Sequence, residues 1–118
     1  MGGDLAGRRI LIVEDEYLIA SELRMAFERA GAELIGPVPD VAKALELLAL
    51  TQELDGAVLD INLGGEMAYP VAEALRARNV PFVFATGYDA QHIPAEFRSA
   101  PRYEKPIQPD QIAAALFG

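Results

Sequence analysis

Residues 10–16 read Ile10-Leu-Ile-Val-Glu-Asp-Glu16, an apolar run joined directly to three acids. Four apolar residues rich in Ile are typical of a strand that is buried on both faces. The acids therefore stand at the carboxyl end of a predicted central strand. Short apolar runs of this kind recur along the rest of the chain.

Four further short runs begin 20–25 residues after one another, and each predicts a strand. They are Glu33-Leu-Ile-Gly-Pro-Val38, Ala57-Val-Leu-Asp60, Phe82-Val-Phe-Ala85 and the weaker Arg102-Tyr-Glu104.

Helical patterns fill the intervals between the predicted strands. Apolar residues recur at helical spacing over Ile19–Ala30, just ahead of Gly31, and over Val41–Leu48, after the N-cap candidate Asp40. Shorter patterns predict a third helix and a last helix, each with a proline near its first turn. They pass through Val71 and Leu75, and through Ile112.

The segment between Asp89 and Pro101 carries prolines that leave room for one or two helical turns, so we expect the fourth helix to be short or irregular. Strands that alternate with helices five times predict an α/β fold, a doubly wound parallel sheet with helices on both faces. With five strands we expect the order 2-1-3-4-5, in which strands 1 and 3 flank the crevice where ligands bind.

The length of 118 residues fits one domain, and we assign residues 1–118 to it, with residues 1–8 as a flexible N-terminal extension and no output module after the last helix. Cysteine is absent, which excludes disulfides and thiolate chemistry. A net charge of −8 argues against nucleic acid or an anionic membrane as the partner. The longest uncharged run, residues 79–88, is too short to span a bilayer, and no signal peptide is evident, so we expect a cytoplasmic protein.

Functional side chains collect at the predicted carboxyl ends of the strands. Glu14 and Asp15 follow strand 1, Asp60 ends strand 3, Thr86 ends strand 4 and Lys105 ends strand 5. Each residue alone has an ordinary explanation as a solvated turn or helix start. Asp60 differs because it ends a strongly apolar strand, where burial of a lone charge is costly.

Three converging carboxylates must raise a pKa or recruit a cation. Oxygen ligands without His or Cys favour a magnesium-like ion, and magnesium favours phosphate as a ligand. A carboxylate beside such an ion can attack a phosphoryl group and form an aspartyl phosphate. The hydroxyl and the ammonium on the far side of the crevice suit the transferred oxygens.

These motifs resemble response-regulator receiver domains of two-component signalling, of the CheY-like, stand-alone type. The resemblance rests on residues 10–16, on Val58-Leu-Asp60, on Ala85-Thr-Gly87 and on Lys105-Pro106, and it spans the whole chain. It implies a flavodoxin-like (βα)5 fold. It also implies a phosphoprotein that promotes its own phosphorylation and dephosphorylation and is not a turnover enzyme.

The resemblance implies a role for each site residue. Asp60 would accept the phosphoryl group. Mg²⁺, for which Mn²⁺ or Ca²⁺ could substitute, would be held by Asp15 directly, by Glu14 largely through water, by Asp60 and by the backbone carbonyl of Asn62. Thr86 would be the switch hydroxyl, and Lys105 would pair with the phosphoryl oxygens.

The resemblance also implies partners. The donor would be a sensor histidine kinase or a histidine phosphotransfer protein, and a downstream protein target would bind the face formed by strand 4, helix 4 and strand 5. We expect a monomer or a weak dimer.

Four departures from the family pattern stand out. The first acid is Glu14, the loop after Asp60 lacks the proline that many receivers carry four residues later, and Arg102 occupies the usual position of the aromatic switch residue, with Tyr103 one step later on the opposite face. Residues 84–89 resemble the FAT GUY receivers, although Asp89 stands where that motif has Tyr. Tyr88, Tyr103 and Arg102 are therefore candidate modulators.

Two other functions compete with a phosphorylated receiver. One is a receiver-like interaction module that is never phosphorylated, which the intact set of acids, hydroxyl and lysine disfavours. The other is a small phosphatase that works through an aspartyl phosphate. The position of Asp60 on strand 3, and Asn62 where such enzymes carry a second acid, disfavour it.

Overall fold

The computed structural model describes residues 5–87 and 93–117. Its strands are β1 (Arg9–Val13), β2 (Glu33–Val38), β3 (Gly56–Asp60), β4 (Asn62–Leu63), β5 (Glu66–Met67), β6 (Phe82–Thr86) and β7 (Arg102–Glu104). Its α-helices are α1 (Tyr17–Arg29), α2 (Val41–Leu50), α3 (Tyr69–Ala77) and α4 (Pro109–Phe117).

Five parallel strands form the main sheet in the order β2-β1-β3-β6-β7. Predicted strands 4 and 5 correspond to β6 and β7, so the sequence-based order 2-1-3-4-5 is confirmed. The α/β flavodoxin-like architecture is confirmed with it, because helices cover both faces of the sheet.

The three central strands are buried almost throughout, and their side chains alternate between two apolar clusters. On one face Leu11, Leu59 and Phe84 pack with α2 and α3. On the other face Ile12 and Val58 pack with α1 and α4. This arrangement explains why the strands read as unbroken apolar runs in the sequence.

The predicted helix boundaries agree closely with the structure. The Asp40 side chain accepts a hydrogen bond of 2.8 Å from the backbone N–H of Lys43, as an N-cap does. Gly31, just after α1, has a φ of +89°, the conformation that the predicted stop requires. Prolines stand in the first turn of α3 and at the start of α4.

The irregular fourth helix is confirmed in the described part of its segment. Among the described residues of this segment, 93–101, only Ala95–Phe97 are helical, as a single 3₁₀ turn. Its Phe97 is fully buried and stacks on the ring of Tyr69 with ring centroids 5.5 Å apart. This contact ties the short turn to α3, and edge contacts of Phe97 with Phe82 and Phe84 tie it to the sheet.

Two features differ from the sequence-based expectation. Residues 5–8, which belong to the N-terminal extension predicted to be flexible, contact the rest of the fold: Leu5 is buried, and the Gly7 N–H donates a 2.8 Å hydrogen bond to the Gly31 carbonyl. A Cβ on Gly31 would lie 3.1 Å from the Ala6 Cα, so the glycine permits this close approach. The second feature is the small antiparallel hairpin β4–β5, which the strand patterns did not predict.

No helix within the described residues is long and apolar enough to cross a membrane.

Candidate functional site

The candidate site lies at the carboxyl ends of the central strands. Asp60 is the last residue of β3 and pairs in register with Ala85 of β6. Glu14 directly follows β1, and its N–H is fixed by a 3.0 Å hydrogen bond to the Val38 carbonyl of β2. The parallel sheet thus brings together side chains that are far apart in sequence, as the strand order predicted.

Three acidic side chains form a tight cluster there. One carboxylate oxygen from each of Glu14, Asp15 and Asp60 lies within 4.8 Å of the others. Glu14 and Asp60 are buried, at 3% and 5% exposure, whereas Asp15 is open to solvent. Such a cluster carries more negative charge than its surroundings neutralise, which is the condition for recruiting a cation.

Lys105 is the cation nearest to these acids in the described part of the chain. Its Nζ lies 2.8 Å from Glu14 Oε2 and 3.1 Å from Asp60 Oδ2. A third carboxylate, Glu16, approaches to 3.8 Å from the solvent side. The lysine at the end of β7 therefore reaches across the crevice to the acids after β1 and β3, as expected.

The buried carboxyl group of Asp60 has an altered acidity. Desolvation, together with the charge of Glu14, raises its pKa to about 7, while Lys105 opposes the shift. Burial tends to lower the pKa of Lys105, but its contacts with Glu14 and Asp60 outweigh burial and raise the pKa. With a pKa of about 7, Asp60 is only partly ionised at neutral pH.

The hairpin after Asp60 forms one wall of the site. The Asn62 N–H donates to Asp60 Oδ1 at 3.3 Å, and the Asn62 side chain accepts a 2.6 Å hydrogen bond from the Gly65 N–H. Gly64 and Gly65 have φ values of +66° and +99°, as a two-residue type I′ turn requires. Proline fixes φ near −65° and so cannot adopt the positive φ that this turn requires at position 64. This explains why the proline that many receivers carry there is missing.

Thr86 is buried at the end of β6, one residue beyond the partner of Asp60. Its hydroxyl donates a hydrogen bond to the Gly87 carbonyl. The hydroxyl that the family resemblance predicts to be the switch is therefore bonded to the neighbouring residue of its own loop in this conformation.

The candidate modulators fall in three different places. Arg102 is exposed and pairs in register with Phe84, whereas Tyr103 is half-buried and packs on the cluster that contains α1 and α4. The two side chains lie on opposite faces of the sheet, as the alternation of the strand predicted. Tyr88 lies outside the described residues, as does Asp89.

A cavity of about 440 Å³ opens above the cluster. Its lining consists of Asp15, Glu16, Asp60, Asn62, Gly64, Gly65, Gly87 and Lys105. Glu16 was not among the sequence-based site residues, although its place directly after the acid pair was visible in the motif. The carboxylate of Asp60 and the ammonium of Lys105 thus both line one cavity.

Residues 10–117 match the family model of the response regulator receiver domain. The chain belongs to this family. Receiver domains are signalling modules of two-component systems, and the CheY-like receiver predicted from the motifs is confirmed at the level of this family.

Curated relatives are longer than this chain. The sensory transduction protein LytT of Bacillus subtilis is 31% identical over 112 residues, which are 92% of this chain and 46% of that protein. The phyllosphere-induced regulator PhyR of Methylorubrum extorquens is 30% identical over 120 residues, 98% of this chain and 44% of that protein. The chain thus spans less than half the length of these relatives.

Solved receivers of similar length resemble it more strongly. The solution structure of SdrG from Sphingomonas melonis Fr1 is 46% identical, with a TM-score of 0.80 and coverage of 93% of both chains. The structure of the BeF3-activated conformation of SdrG is also 46% identical, with a TM-score of 0.75 and coverage of 94% of both chains.

The residues of the cluster fit a hard divalent cation. Their donors are carboxylate oxygens, two of the three carboxylates are buried, and one lysine faces them. Oxygen ligands of this kind suit Mg²⁺, which keeps several waters, or its substitutes Mn²⁺ and Ca²⁺.

Proposed function

We propose that this receiver domain accepts a phosphoryl group on Asp60 and signals through phosphorylation-dependent contacts with another protein. The observation that carries this proposal is the position of Asp60, a buried carboxylate at a strand end, 3.1 Å from Lys105 and clustered with two further acids. A buried charge in a solvent-facing crevice is costly for folding and is therefore characteristic of a working site.

The transfer is a displacement at phosphorus. A carboxylate oxygen of Asp60 attacks the phosphorus of a phosphohistidine, the new O–P bond forms, and the N–P bond breaks. The electron pair of the broken bond stays on the imidazole nitrogen of the donor. The product is a mixed anhydride on Asp60, which water later hydrolyses to restore the carboxylate.

Asp15, Glu14, Asp60 and the backbone carbonyl of Asn62 would hold a Mg²⁺ ion. When bound, that ion would neutralise charge on the transferring oxygens. Lys105 would exchange its carboxylate partners for a phosphoryl oxygen, and Thr86 would rotate from the Gly87 carbonyl to donate to another. Both exchanges start from contacts that the side chains already make.

The output surface follows from these movements. Thr86 lies on β6, which pairs with β7, and Phe97 of the 3₁₀ turn packs against Phe84 of the same strand. A shift of its hydroxyl would therefore alter the face formed by β6, that turn and β7, where we place the downstream target. The proposed donor is a sensor histidine kinase or a histidine phosphotransfer protein. Three further expectations stay predictions from the sequence: a monomer or weak dimer, membership of the FAT GUY group and a cytoplasmic location.

An unphosphorylated interaction module is the second candidate. It is disfavoured by the 46% identity to SdrG, a receiver with a solved BeF3-activated conformation. A phosphatase is disfavoured because the side chain of Asn62, in the position of a second acid, is occupied by the turn.

The test is the response of amide resonances to beryllofluoride and Mg²⁺ in the wild type and in Asp60→Asn. We expect the wild type to shift around Thr86 and the 93–101 segment, and the variant to stay unchanged. An unchanged wild-type spectrum would favour the interaction module.

A further inference from the structure

Glu16 occupies the solvent side of Lys105. Its Oε1 lies 3.8 Å from Lys105 Nζ, and its side chain remains 63% exposed at the mouth of the cavity. It is the N-cap residue of α1, but its side chain makes no capping hydrogen bond. The carboxylate is therefore free of a structural task at the start of the helix.

The charge balance around the mouth is strongly negative. Four carboxylates, those of Glu14, Asp15, Glu16 and Asp60, face the single ammonium of Lys105 within the described residues. Glu14 and Asp60 contact the ammonium from inside the site, and Glu16 contacts it from outside. An anion that approaches Lys105 through the cavity therefore comes close to the Glu16 carboxylate, which lines the cavity and lies 3.8 Å from the ammonium.

We propose that Glu16 acts as an electrostatic filter that slows phosphorylation by small, highly anionic donors and so favours less anionic phosphoramidate-type donors. The inference rests on the proposed phosphorylation of Asp60. It concerns which donor class reaches that residue, because like charges at the mouth repel an approaching dianion more than a monoanion.

The size of the effect follows from exposure. A unit charge a few ångströms from the approach path, in a water-like dielectric, changes the encounter of a dianion by about threefold to tenfold at low ionic strength. A donor with less negative charge feels about the square root of that factor. Salt screens both effects, since the Debye length falls to about 3 Å at 1 M.

The experiment compares acetyl phosphate with phosphoramidate as donors for the wild type, Glu16→Gln and Glu28→Gln at saturating Mg²⁺. Glu28 is exposed on the same helix, so its variant changes the net charge equally but away from the site. The second-order rate constant for phosphorylation is measured at low and at high ionic strength.

We expect Glu16→Gln to raise the acetyl phosphate rate about threefold to tenfold at low salt, to raise the phosphoramidate rate less, and to lose both gains at high salt. Glu28→Gln should match the wild type. Equal rates in Glu16→Gln and the wild type, or a gain that is independent of donor and salt, would overturn the inference. Absence of labelling in the wild type with both donors would instead overturn the proposed function.

Discussion

Replacement of Asp60 by Asn should stabilise the fold while it abolishes the proposed chemistry. Asp60 is 5% exposed and lies beside Glu14, so its charged form is disfavoured in the folded state. Asn keeps the shape of the side chain and removes the charge. A working site that destabilises its own fold is a common compromise between stability and activity.

The magnitude follows from the acidity of the buried group. Its pKa rises from 3.8 to about 7 on folding, and such a difference corresponds to about 4 kcal/mol. Because the pKa of Asp60 is raised in the folded state, proton binding by this group adds to the free energy of unfolding. This stabilisation is complete below pH 3.8 and is lost as pH rises through about 7. Between pH 5 and pH 8 the wild type should therefore lose about 3 kcal/mol relative to Asp60→Asn.

The assay is urea unfolding at pH 5 and pH 8 without divalent cations, with Glu46→Gln on the exposed side of α2 as the matched control. The control should follow the wild type at both pH values. Saturating Mg²⁺ should narrow the gap at pH 8, because a bound cation compensates the charge. A variant that is no more stable than the wild type at pH 8 would refute the reasoning.

Two further predictions concern the cation and the backbone. Asp15→Asn should change the free energy of unfolding of the metal-free protein by no more than about 0.5 kcal/mol, because the side chain is exposed. It should lose most of the rise in melting temperature that Mg²⁺ gives the wild type. An undiminished rise would exclude Asp15 as a ligand. Gly36→Ala should lower the free energy of unfolding by about 2–3 kcal/mol, since φ is +91° and a Cβ would lie 2.9 and 3.0 Å from two backbone atoms. Gly7→Ala is the control, because φ is +75° but a Cβ there would meet nothing within 4 Å, and it should cost less. Equal losses of unfolding free energy in the two glycine variants would contradict the steric argument.

The strand order and the acid cluster were accessible from the sequence for the same physical reason. Parallel strands buried on both faces must be apolar, so a charged residue such as Asp60 at the end of one stands out. Once the strands were placed, the topology alone brought Glu14, Asp60 and Lys105 to one edge. The apolar patterns of the strands and helices were therefore enough to predict where the site lies.

Other features depend on contacts that a one-dimensional pattern does not encode. The strands of the β4–β5 hairpin have two residues each, too few for an alternation, although Gly64-Gly65 between them was a usable turn signal. The burial of Leu5 depends on the close approach that Gly31 allows. The place of Glu16 depends on where α1 begins and on how Lys105 reaches across the crevice.

The most direct test of the central claim is phosphoryl incorporation at Asp60. The wild type and Asp60→Asn are incubated with a phosphorylated histidine kinase domain or with phosphoramidate in Mg²⁺, and intact-protein mass spectrometry follows the adduct before and after hydroxylamine treatment. We predict one phosphoryl group on the wild type, removed by hydroxylamine as an acyl phosphate must be, and none on the variant. An adduct that persists in Asp60→Asn, or one that resists hydroxylamine, would contradict the assignment of Asp60 as the phosphoacceptor.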